Sequence, residues 1–305
     1  MSYLGIDVGG TKVALRVHDH TGSGGTAEDT FLWSASSDAA GDLELLAERV
    51  RALLRRHPSP LGGVGVAVPA VCDAGGTVLT WPGRPSWVGL DLRAALAGIL
   101  PDTPVACADD GDLAALAEAR EADCANLLYL GVGTGIGGGL VFAGRSWPGP
   151  ARGSFEIGHL VIDRAGPRCD CGRRGCAQAV ASGPATLRRA AELRGREVTF
   201  PDLVEAAGAG AAWAVTALEE NAAAVARVVV GVCELAHPDL VLVGGGFAAG
   251  APGLVDAVAA HVKELTRPGV APPPVRPAVL GGRSSLYGAL LLAEETFGTV
   301  RRAAG

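Results

Sequence analysis

The hydrophobic and polar positions at the start of the chain follow the pattern of a β-hairpin and then of a helix. An apolar run at 3–8 (YLGIDV) predicts a strand, and the alternation at 13–17 (VALRV) predicts its antiparallel return. Leucine and valine then recur at helical spacing through 42–57, where prolines end the element. A short apolar run at 64–69 (VGVAVP) predicts a buried strand. The predicted order is therefore hairpin, helix and strand.

The same scheme returns in the second half of the chain. The segment 127–142 (LLYLGVGTGIGGGLVF) again predicts strand, glycine turn and strand, so we expect a duplicated fold with one phosphate loop in each half. A long helix is predicted over 211–236, and a strand at 241–246 runs into glycines. A final apolar helix is expected to open at 287–289, and the proline-rich stretch 267–276 is expected to be a connecting loop.

Length and composition fit a globular protein of two domains. The 305 residues are 49% hydrophobic and 19% charged, with a mean hydropathy of +0.29, so two domains could each bury a core. A net charge of −6 and scattered basic residues argue against nucleic acid and anionic membranes and favour a small-molecule partner. Because no apolar run reaches the roughly 18 residues of a membrane helix and no leader precedes the first strand, we expect a cytoplasmic protein.

Three glycine-rich turns are candidates for phosphate binding. Glycines let backbone N–H groups converge on an anion without obstruction by Cβ atoms. A tight hairpin explains any single turn equally well, but three together favour phosphate binding. Their spacing fits neither a Walker A sequence nor a Rossmann fingerprint. The candidate residues are Asp7, Gly9, Gly10, Thr11 and Lys12 in the first turn, Gly133, Thr134 and Gly135 in the second, and Gly245 and Gly246 in the third.

A histidine and three cysteines suggest a metal site. His159 is followed by Cys169, Cys171 and Cys176, and one imidazole with three thiolates suits tetrahedral zinc. A full ligand shell leaves no open position for water, so the zinc is expected to be structural rather than catalytic. Three free thiols are the alternative.

These motifs together resemble the ROK family, a group of sugar kinases and sugar-responsive repressors with an actin-like ATPase fold. The resemblance covers nearly the whole chain and implies an α/β, ribonuclease H-like fold of two lobes with a cleft between them. The small lobe would comprise 1–108 and 290–305, and the large lobe 109–289. Because the first glycine turn starts within ten residues of Met1, ahead of which a helix-turn-helix domain does not fit, the kinase branch is expected. The segments that carry the resemblance are LGIDVGGTK at 4–12, GVAVPA at 65–70, PGRPSW at 82–87, ADDGDLAALAE at 108–118, GVGTGIGGG at 131–139, EIGH at 156–159, CDCGRRGC at 169–176 and VLVGGG at 241–246.

The resemblance also implies where the chemistry takes place. Asp110 would be the base that holds and deprotonates the attacking sugar hydroxyl, with ATP as the donor and Mg²⁺ bridging its phosphates. The third glycine turn would hold the adenosine. A helix N-cap is the alternative role for Asp110, because the acidic run Asp109 to Asp112 precedes an apolar helix expected from Leu113.

Several residues are expected to surround the sugar, and three of them depart from the family pattern. Glu156 and His159 match it, and His159 would also be a zinc ligand. Gly83, Asp109 and Gln178 stand where family glucokinases carry Asn, Asn and Glu, positions that normally touch sugar hydroxyls. A changed set of hydroxyl-reading groups indicates a substrate other than plain glucose.

The substrate is expected to be an amino sugar. A carboxylate at Asp109, next to Asp110 and Glu156, is costly unless a cation joins it. An ammonium at C3 or C4 of a hexose would supply that cation, which favours a 3-amino-hexose such as kanosamine, phosphorylated on its C6 primary hydroxyl. A C7 cyclitol, glucose, polyphosphate as the donor and a non-catalytic sugar sensor remain alternatives. A homodimer or homotetramer is expected.

Overall fold

The computed structural model of the protein describes residues 1–19, 25–34, 37–73, 75–149 and 152–302, with side chains described to residue 298. The chain folds as two compact units. One takes in Met1–Ala117, Gly149–Ser154 and the segment from Arg283 onward, and the other takes in Glu118–Pro148 and Phe155–Gly282. These boundaries differ from the lobes 1–108 with 290–305 and 109–289, which stay a prediction.

The first unit is built on a mixed sheet. Seven strands lie in its described residues: β1 (Ser2–Val8), β2 (Lys12–Asp19), β3 (Thr26–Leu32), β4 (Leu61–Ala67), β5 (Val71–Cys72), β6 (Val78–Thr80) and β7 (Val105–Ala108). Five form a sheet in the order β3-β2-β1-β4-β7. The pairs β1–β2 and β2–β3 are antiparallel, whereas β1–β4 and β4–β7 are parallel. The strands β5 and β6 form a separate ribbon.

The second unit repeats this architecture. Its described strands are β8 (Leu127–Val132), β9 (Ile136–Phe142), β10 (Arg145–Trp147), β11 (Leu240–Gly244) and β12 (Val275–Pro277). They are ordered β10-β9-β8-β11-β12, antiparallel among the first three and parallel from β8 to β11 to β12. The strand order and directions match those of the first sheet position by position, so the predicted duplication is confirmed.

Helices flank the two sheets. The described residues contain α1 (Ala39–Arg56), α2 (Leu92–Ile99), α3 (Asp110–Glu121), α4 (Ala177–Ala181), α5 (Gly183–Arg194), α6 (Phe200–Gly208), α7 (Ala212–Ala236), α8 (Gly246–Gly250), α9 (Leu254–Leu265) and α10 (Ser284–Arg302), with 3₁₀ turns at Pro85–Trp87, Ile157–His159 and Gly281–Arg283. None of the helices in the described part of the chain is long and apolar enough to cross a membrane.

The final helix α10 lies almost in contact with the backbone of the first sheet. A Cβ added at Gly65 of β4 would lie 1.8 Å from the carbonyl oxygen of Ala289, and one at Gly5 of β1 would lie 2.9 Å from that of Leu286. Only glycine leaves room for this approach. The core of the first unit is therefore closed by a helix from the far end of the sequence.

Most predicted elements are confirmed, with shifted ends. The hairpin at 3–8 and 13–17 is β1 and β2, and the helix expected over 42–57 is α1. That helix begins earlier, at Ala39, because the Asp38 carboxylate caps it by accepting from the Gly41 amide at 2.9 Å. The predicted long helix is α7, which ends at Ala236 as His237 turns into the left-handed conformation with φ 46°.

Two further predicted elements are present but have shifted ends. The loop expected over 267–276 runs into β12, whose first residue is Val275, because the end of this segment pairs with β11 as the edge strand of the sheet. The apolar helix expected from Leu113 begins at Asp110, because the cap lies before the acidic run ends.

Candidate active site

The first glycine turn joins β1 to β2 and is held by its own backbone and by Trp33. The Gly9 amide donates to the Lys12 carbonyl at 2.9 Å. The Trp33 indole N–H donates to the Gly9 carbonyl at 2.8 Å, and the Trp33 amide donates to the Thr11 carbonyl at 3.0 Å. The side chains of Thr11 and Lys12 are exposed. The turn is therefore held by three hydrogen bonds, with one hydroxyl and one ammonium exposed.

Asp7 lies just before this turn in a poorly solvated position. Burial raises the pKa of Asp7 to about 6, and the nearby Lys12 charge offsets part of that rise. A carboxylate in such a place is stabilised by a cation that joins it. Asp7 can therefore respond to the charge of whatever binds at the turn.

Gly83 lies against the first glycine turn. A Cβ added at Gly10 would lie 3.2 Å from the Gly83 Cα, and a Cβ at Gly83 would lie 3.2 Å from the Trp81 Nε1. The segment that carries Gly83 is held in place by Asp42, which is fully buried. Its carboxylate accepts from the Arg84 Nη2 at 2.7 Å and from the Trp87 Nε1 at 2.8 Å. Gly83, which differs from the residue in the family pattern, therefore lies where two backbone segments pack closely together.

Asp109 and Asp110 follow β7 at the same sheet edge as the first glycine turn. Asp7 pairs in register with Ala67, and Ala67 pairs with Ala108. Since parallel strands lie about 4.8 Å apart, Asp7 and Ala108 are separated by about 10 Å. The first unit therefore collects Asp7, the glycine turn, Gly83 and both aspartates at one edge.

The cap of α3 is Asp109. Its Oδ1 accepts from the Gly111 amide at 3.0 Å and from the Asp112 amide at 3.2 Å. Asp110 is the first residue of the helix and is half-buried. The capping role considered for Asp110 is therefore wrong, because its neighbour performs it. Both carboxylates lie where the helix dipole favours negative charge.

The second glycine turn joins β8 to β9 and lies against the start of α5. The Gly133 amide donates to the Gly135 carbonyl at 2.9 Å, and the Gly183 amide donates to the Gly133 carbonyl at 2.8 Å. A Cβ at Gly183 would lie 2.9 Å from that carbonyl oxygen. The Thr134 side chain is exposed. The turn is thus anchored while its tip stays accessible.

The third glycine turn lies beside the second. Gly244 pairs in register with Gly131, and Gly245 has φ 86°. A Cβ at Gly245 would lie 2.4 Å from the Val132 carbonyl oxygen, so this position requires glycine on both counts. Gly246 begins α8. The second unit therefore brings the second and third turns together at one sheet edge.

Gln178 contacts the second turn. Its Oε1 accepts from the Ile136 amide at 3.2 Å, directly after the turn. A Cβ added at Gly135 would lie 2.7 Å from the same oxygen. This residue was expected from the sequence among the sugar contacts, and its position against the turn was not anticipated.

The four predicted metal ligands form one cluster. The ligand atoms of His159, Cys169, Cys171 and Cys176 all lie within 4.8 Å of one another. The Cys169 Sγ lies 3.6 Å from the His159 Nδ1, and the Cys171 Sγ lies 3.6 Å from the Cys176 Sγ. Zn–S and Zn–N bonds of about 2.3 and 2.0 Å give tetrahedral edges of about 3.8 Å and 3.5 Å. The donor set therefore fits zinc in both chemistry and dimensions.

Hydrogen bonds also prepare Cys171 as a ligand. Donation from the backbone and side chain of Arg173 lowers the pKa of the Cys171 thiol to about 6. Metals bind the thiolate, so this shift favours the ligand form near neutral pH.

The cluster connects the turn that carries Glu156 to α4. Glu156 is exposed at the start of the 3₁₀ turn, and the His159 amide donates to its carbonyl at 3.0 Å. Val161 forms a β-bridge with Cys176, and the Ala177 amide donates to the Leu160 carbonyl at 2.8 Å. A metal at this site would therefore fix the position of Glu156.

Sequence reasoning missed several supporting residues. Trp33 and Asp42 hold the first unit's site segments but lie 20 or more residues from them in sequence, and nothing in the local pattern reveals that contact. The start of α5 did carry a signal, since Ser182 precedes a Gly-Pro pair and caps the helix by accepting from the Ala185 amide at 3.4 Å.

Comparison with known proteins gives consistent matches over the whole chain. The model of the ROK family matches residues 3–296. The chain is 56% identical over 291 residues, 95% of both chains, to "Kanosamine kinase" of Amycolatopsis mediterranei (strain S699). The crystal structure of the ROK hexokinase from Thermus thermophilus superposes with a TM-score of 0.86 at 30% identity, covering 98% of this chain and 100% of that one. A ROK family glucokinase from Streptomyces griseus, in complex with glucose and AMPPNP, gives 0.81 at 26% identity, with 97% and 100% covered.

Proposed function

The chain belongs to the ROK family and has its two-lobed, actin-like ATPase fold, and on that basis we propose that it is an ATP-dependent kinase of a 3-amino-hexose such as kanosamine. The observation that carries the proposal is the 56% identity, over 95% of both chains, to a protein named kanosamine kinase. The retained glycine turns and Asp110 support a catalytic role. Such a kinase would act in the cytoplasm, where ATP is present and thiolate ligands stay reduced.

Asp110 is the proposed base for transfer to the C6 hydroxyl. Its carboxylate takes the hydroxyl proton as the sugar oxygen bonds to the γ-phosphorus of ATP and the bond from that phosphorus to the β-phosphate oxygen breaks. When bound with the nucleotide, magnesium would supply positive charge that neutralises the phosphates. The amides of the glycine turns, with Thr11, Lys12 and Thr134, are suited to bind those phosphates, and Gly245 and Gly246 to border the adenosine.

Asp109 is the residue proposed to bind the amino group of the substrate. A carboxylate offers about four acceptor positions, and the amides of Gly111 and Asp112 use its Oδ1. Its negative charge would favour a charge-assisted hydrogen bond to a substrate ammonium. The adjacent Asp110 strengthens the preference for a cation, because two neighbouring carboxylates repel each other. Glu156 and His159, which match the family pattern, are proposed as further sugar contacts.

Substrate comparison with Asp109→Asn tests the amino-sugar proposal. The wild type is expected to phosphorylate kanosamine with a higher kcat/KM than glucose or a C7 cyclitol, and NMR of the product should show the phosphate on C6. The variant should lose about tenfold to a hundredfold for kanosamine and improve with glucose, since a charged hydrogen bond contributes about 1.5–3 kcal/mol. Asparagine still caps a helix, so the fold should survive.

Asp38→Asn is the matched control, because it makes the same change at the cap of α1. It should leave the substrate ranking unchanged. A wild type that uses glucose at least as well as any 3-amino-hexose contradicts the amino-sugar proposal. A preference for a cyclitol that Asp109→Asn leaves unaltered would favour a cyclitol as the substrate. Activity with polyphosphate in place of ATP would change the assigned phosphate donor. Sugar binding without turnover would indicate a non-catalytic sensor.

We further propose that the protein self-associates through an apolar face of the second unit. The face consists of Phe142, Trp147, Leu160, Val161 and Leu235, all exposed around a concavity of about 940 Å³. At on the order of 100 Å² each, these side chains expose about 500 Å², enough for the core of an interface that buries about 800 Å² per partner. The face also contains the edge strand β10. A second copy of the chain can cover such a surface in a two-fold dimer.

Sedimentation velocity tests this assembly. The wild type is expected to form a dimer or tetramer, and Leu235→Glu is expected to be monomeric, because it places a charge on the most exposed residue of the face. Leu32→Glu, at an exposed leucine of β3 in the first unit, is the control and should keep the wild-type mass. A monomeric wild type, or a Leu235→Glu variant that keeps the wild-type mass, contradicts this interface.

A further inference from the structure

The side chain of Gln178 closes on the second glycine turn from α4. Its Oε1 lies 3.2 Å from the Ile136 amide nitrogen, which can only donate, so the acceptor oxygen of the carboxamide must face the turn. A Cβ at Gly135 would lie 2.7 Å from this oxygen and 3.3 Å from Cδ. One side chain therefore fixes the amide that follows the turn and occupies the space beside its last glycine.

The helix that carries Gln178 is itself held at both ends. At its start, Cys176 is fully buried in the metal cluster, and the Ala177 amide donates to the Leu160 carbonyl at 2.8 Å. At its end, the buried Asn221 donates to the Ala181 carbonyl at 2.7 Å and to the Thr186 hydroxyl at 2.7 Å. Because these contacts at the two ends of α4 do not involve the turn, Gln178 acts as a fixed support for it.

We infer that Gln178 is a positioning residue for the phosphate donor: it sets the conformation of the turn Gly133–Gly135 through the Ile136 amide. The inference rests on the proposed function, in which that turn binds phosphate. It differs from the sequence-based expectation, which placed Gln178 among the sugar contacts. The required property is an acceptor oxygen at this position, and the carboxylate of a glutamate supplies one as well as a carboxamide does.

Binding measurements on Gln178→Leu and Gln178→Glu test the inference. Calorimetry should show Gln178→Leu binding AMPPNP about fivefold to tenfold more weakly than the wild type, as expected for one lost hydrogen bond. Sugar binding in the absence of nucleotide should stay within about twofold. Gln178→Glu keeps the acceptor and should restore nucleotide affinity. Val180→Ala, on the same helix and packed against the core, should bind both ligands as the wild type does.

Hydrogen exchange gives a readout that needs no ligand. The Ile136 amide should exchange faster in Gln178→Leu than in the wild type and regain protection in Gln178→Glu. The inference is overturned if Gln178→Leu weakens only sugar binding, if Gln178→Glu resembles Gln178→Leu, or if exchange is unchanged. A wild type that binds no adenine nucleotide would instead contradict the proposed function, and the exchange result would still decide whether Gln178 sets the turn.

A double mutant isolates the contact with Gly135. Gly135→Ala should displace the Gln178 oxygen and weaken AMPPNP binding much as Gln178→Leu does. If the two residues act through the same contact, the double variant should be about as weak as either single variant. Fully additive losses would show that Gln178 does not act through the turn.

Discussion

The neighbouring carboxylates Asp109 and Asp110 have different surroundings at the start of α3. Both are half-buried, but Asp109 binds two backbone amides as the cap, whereas Asp110 is the first helical residue. Sequence alone could locate the acidic run but could not assign the cap, because each aspartate in it satisfies the preference for a cap residue. The two backbone hydrogen bonds assign the cap to Asp109.

Replacing Asp110 with asparagine should abolish turnover while preserving binding. The carboxylate accepts a proton mainly in the transition state, so Asp110→Asn should bind AMPPNP and sugar normally but lose about a hundredfold or more in kcat. Steady-state kinetics and calorimetry on the same sample measure both. Activity within about tenfold of the wild type, about 1.4 kcal/mol, would remove Asp110 from the role of base.

Asp7 should make stability depend on pH. Its folded-state pKa is raised to about 6 by burial, so the folded protein favours the neutral form. The stabilisation of the folded state by the neutral Asp7 carboxyl is complete below about pH 4 and is lost as pH rises through 6. At pH 8, the free energy of unfolding measured with urea should therefore be roughly 1–3 kcal/mol higher for Asp7→Asn than for the wild type. This difference should shrink towards pH 4. A difference that does not vary with pH would show that Asp7 is not responsible.

At the same scale, some roles could not be predicted from the sequence at all. Gln178 and Ile136 are 42 residues apart, and the pattern around either residue does not reveal their hydrogen bond. The sequence identified Gln178 as unusual because of its residue type. Its contact partner follows only from the path of α4 past the second turn.

At the scale of elements, the segment from Ile157 to Ala181 combines a 3₁₀ turn, the cysteine cluster and a short helix. Its regular structure is limited to three and five residues at the two ends. Short elements of this kind gain little from helix propensity and depend on other contacts. The cluster of one histidine and three cysteines supplies such contacts, and the spacing of these residues was sufficient to predict that they come together.

Removing one ligand should therefore release both the metal and the segment. Elemental analysis should find one zinc per chain in the wild type, and Cys176→Ser should lose it along with sugar affinity. Cys233→Ser, at a half-buried thiol of α7 outside the cluster, should keep the metal. A folded, active wild type without zinc would contradict the assignment.

The elements found from sequence were those with long or repeated patterns. Both hairpins and the 25-residue α7 were recognised because their apolar periodicity is strong. The strand β7 was missed because its four residues are only half-buried and give no clear alternation. The start of β12 was assigned to a loop because proline-rich sequence is typical of loops, although an edge strand tolerates it.

At the scale of the whole molecule, the duplication was readable from two glycine hairpins. The sheet orders β3-β2-β1-β4-β7 and β10-β9-β8-β11-β12 extend that likeness to every strand of each main sheet. The limits of the units were harder to read, because they depend on contacts rather than on composition. The helix α3 begins in one unit and continues into the other, at a point where the sequence shows no break.

The close packing of α10 on β1 and β4 has a consequence for synthesis on the ribosome. Gly5 and Gly65 leave the ribosome early, but the helix that covers them begins at Ser284. At about 5–20 residues per second, the helix follows these glycines by roughly ten to sixty seconds of translation. The second unit lies within 118–282 and can pack during that interval. The unit whose first strands are made earliest is therefore the last to be completed.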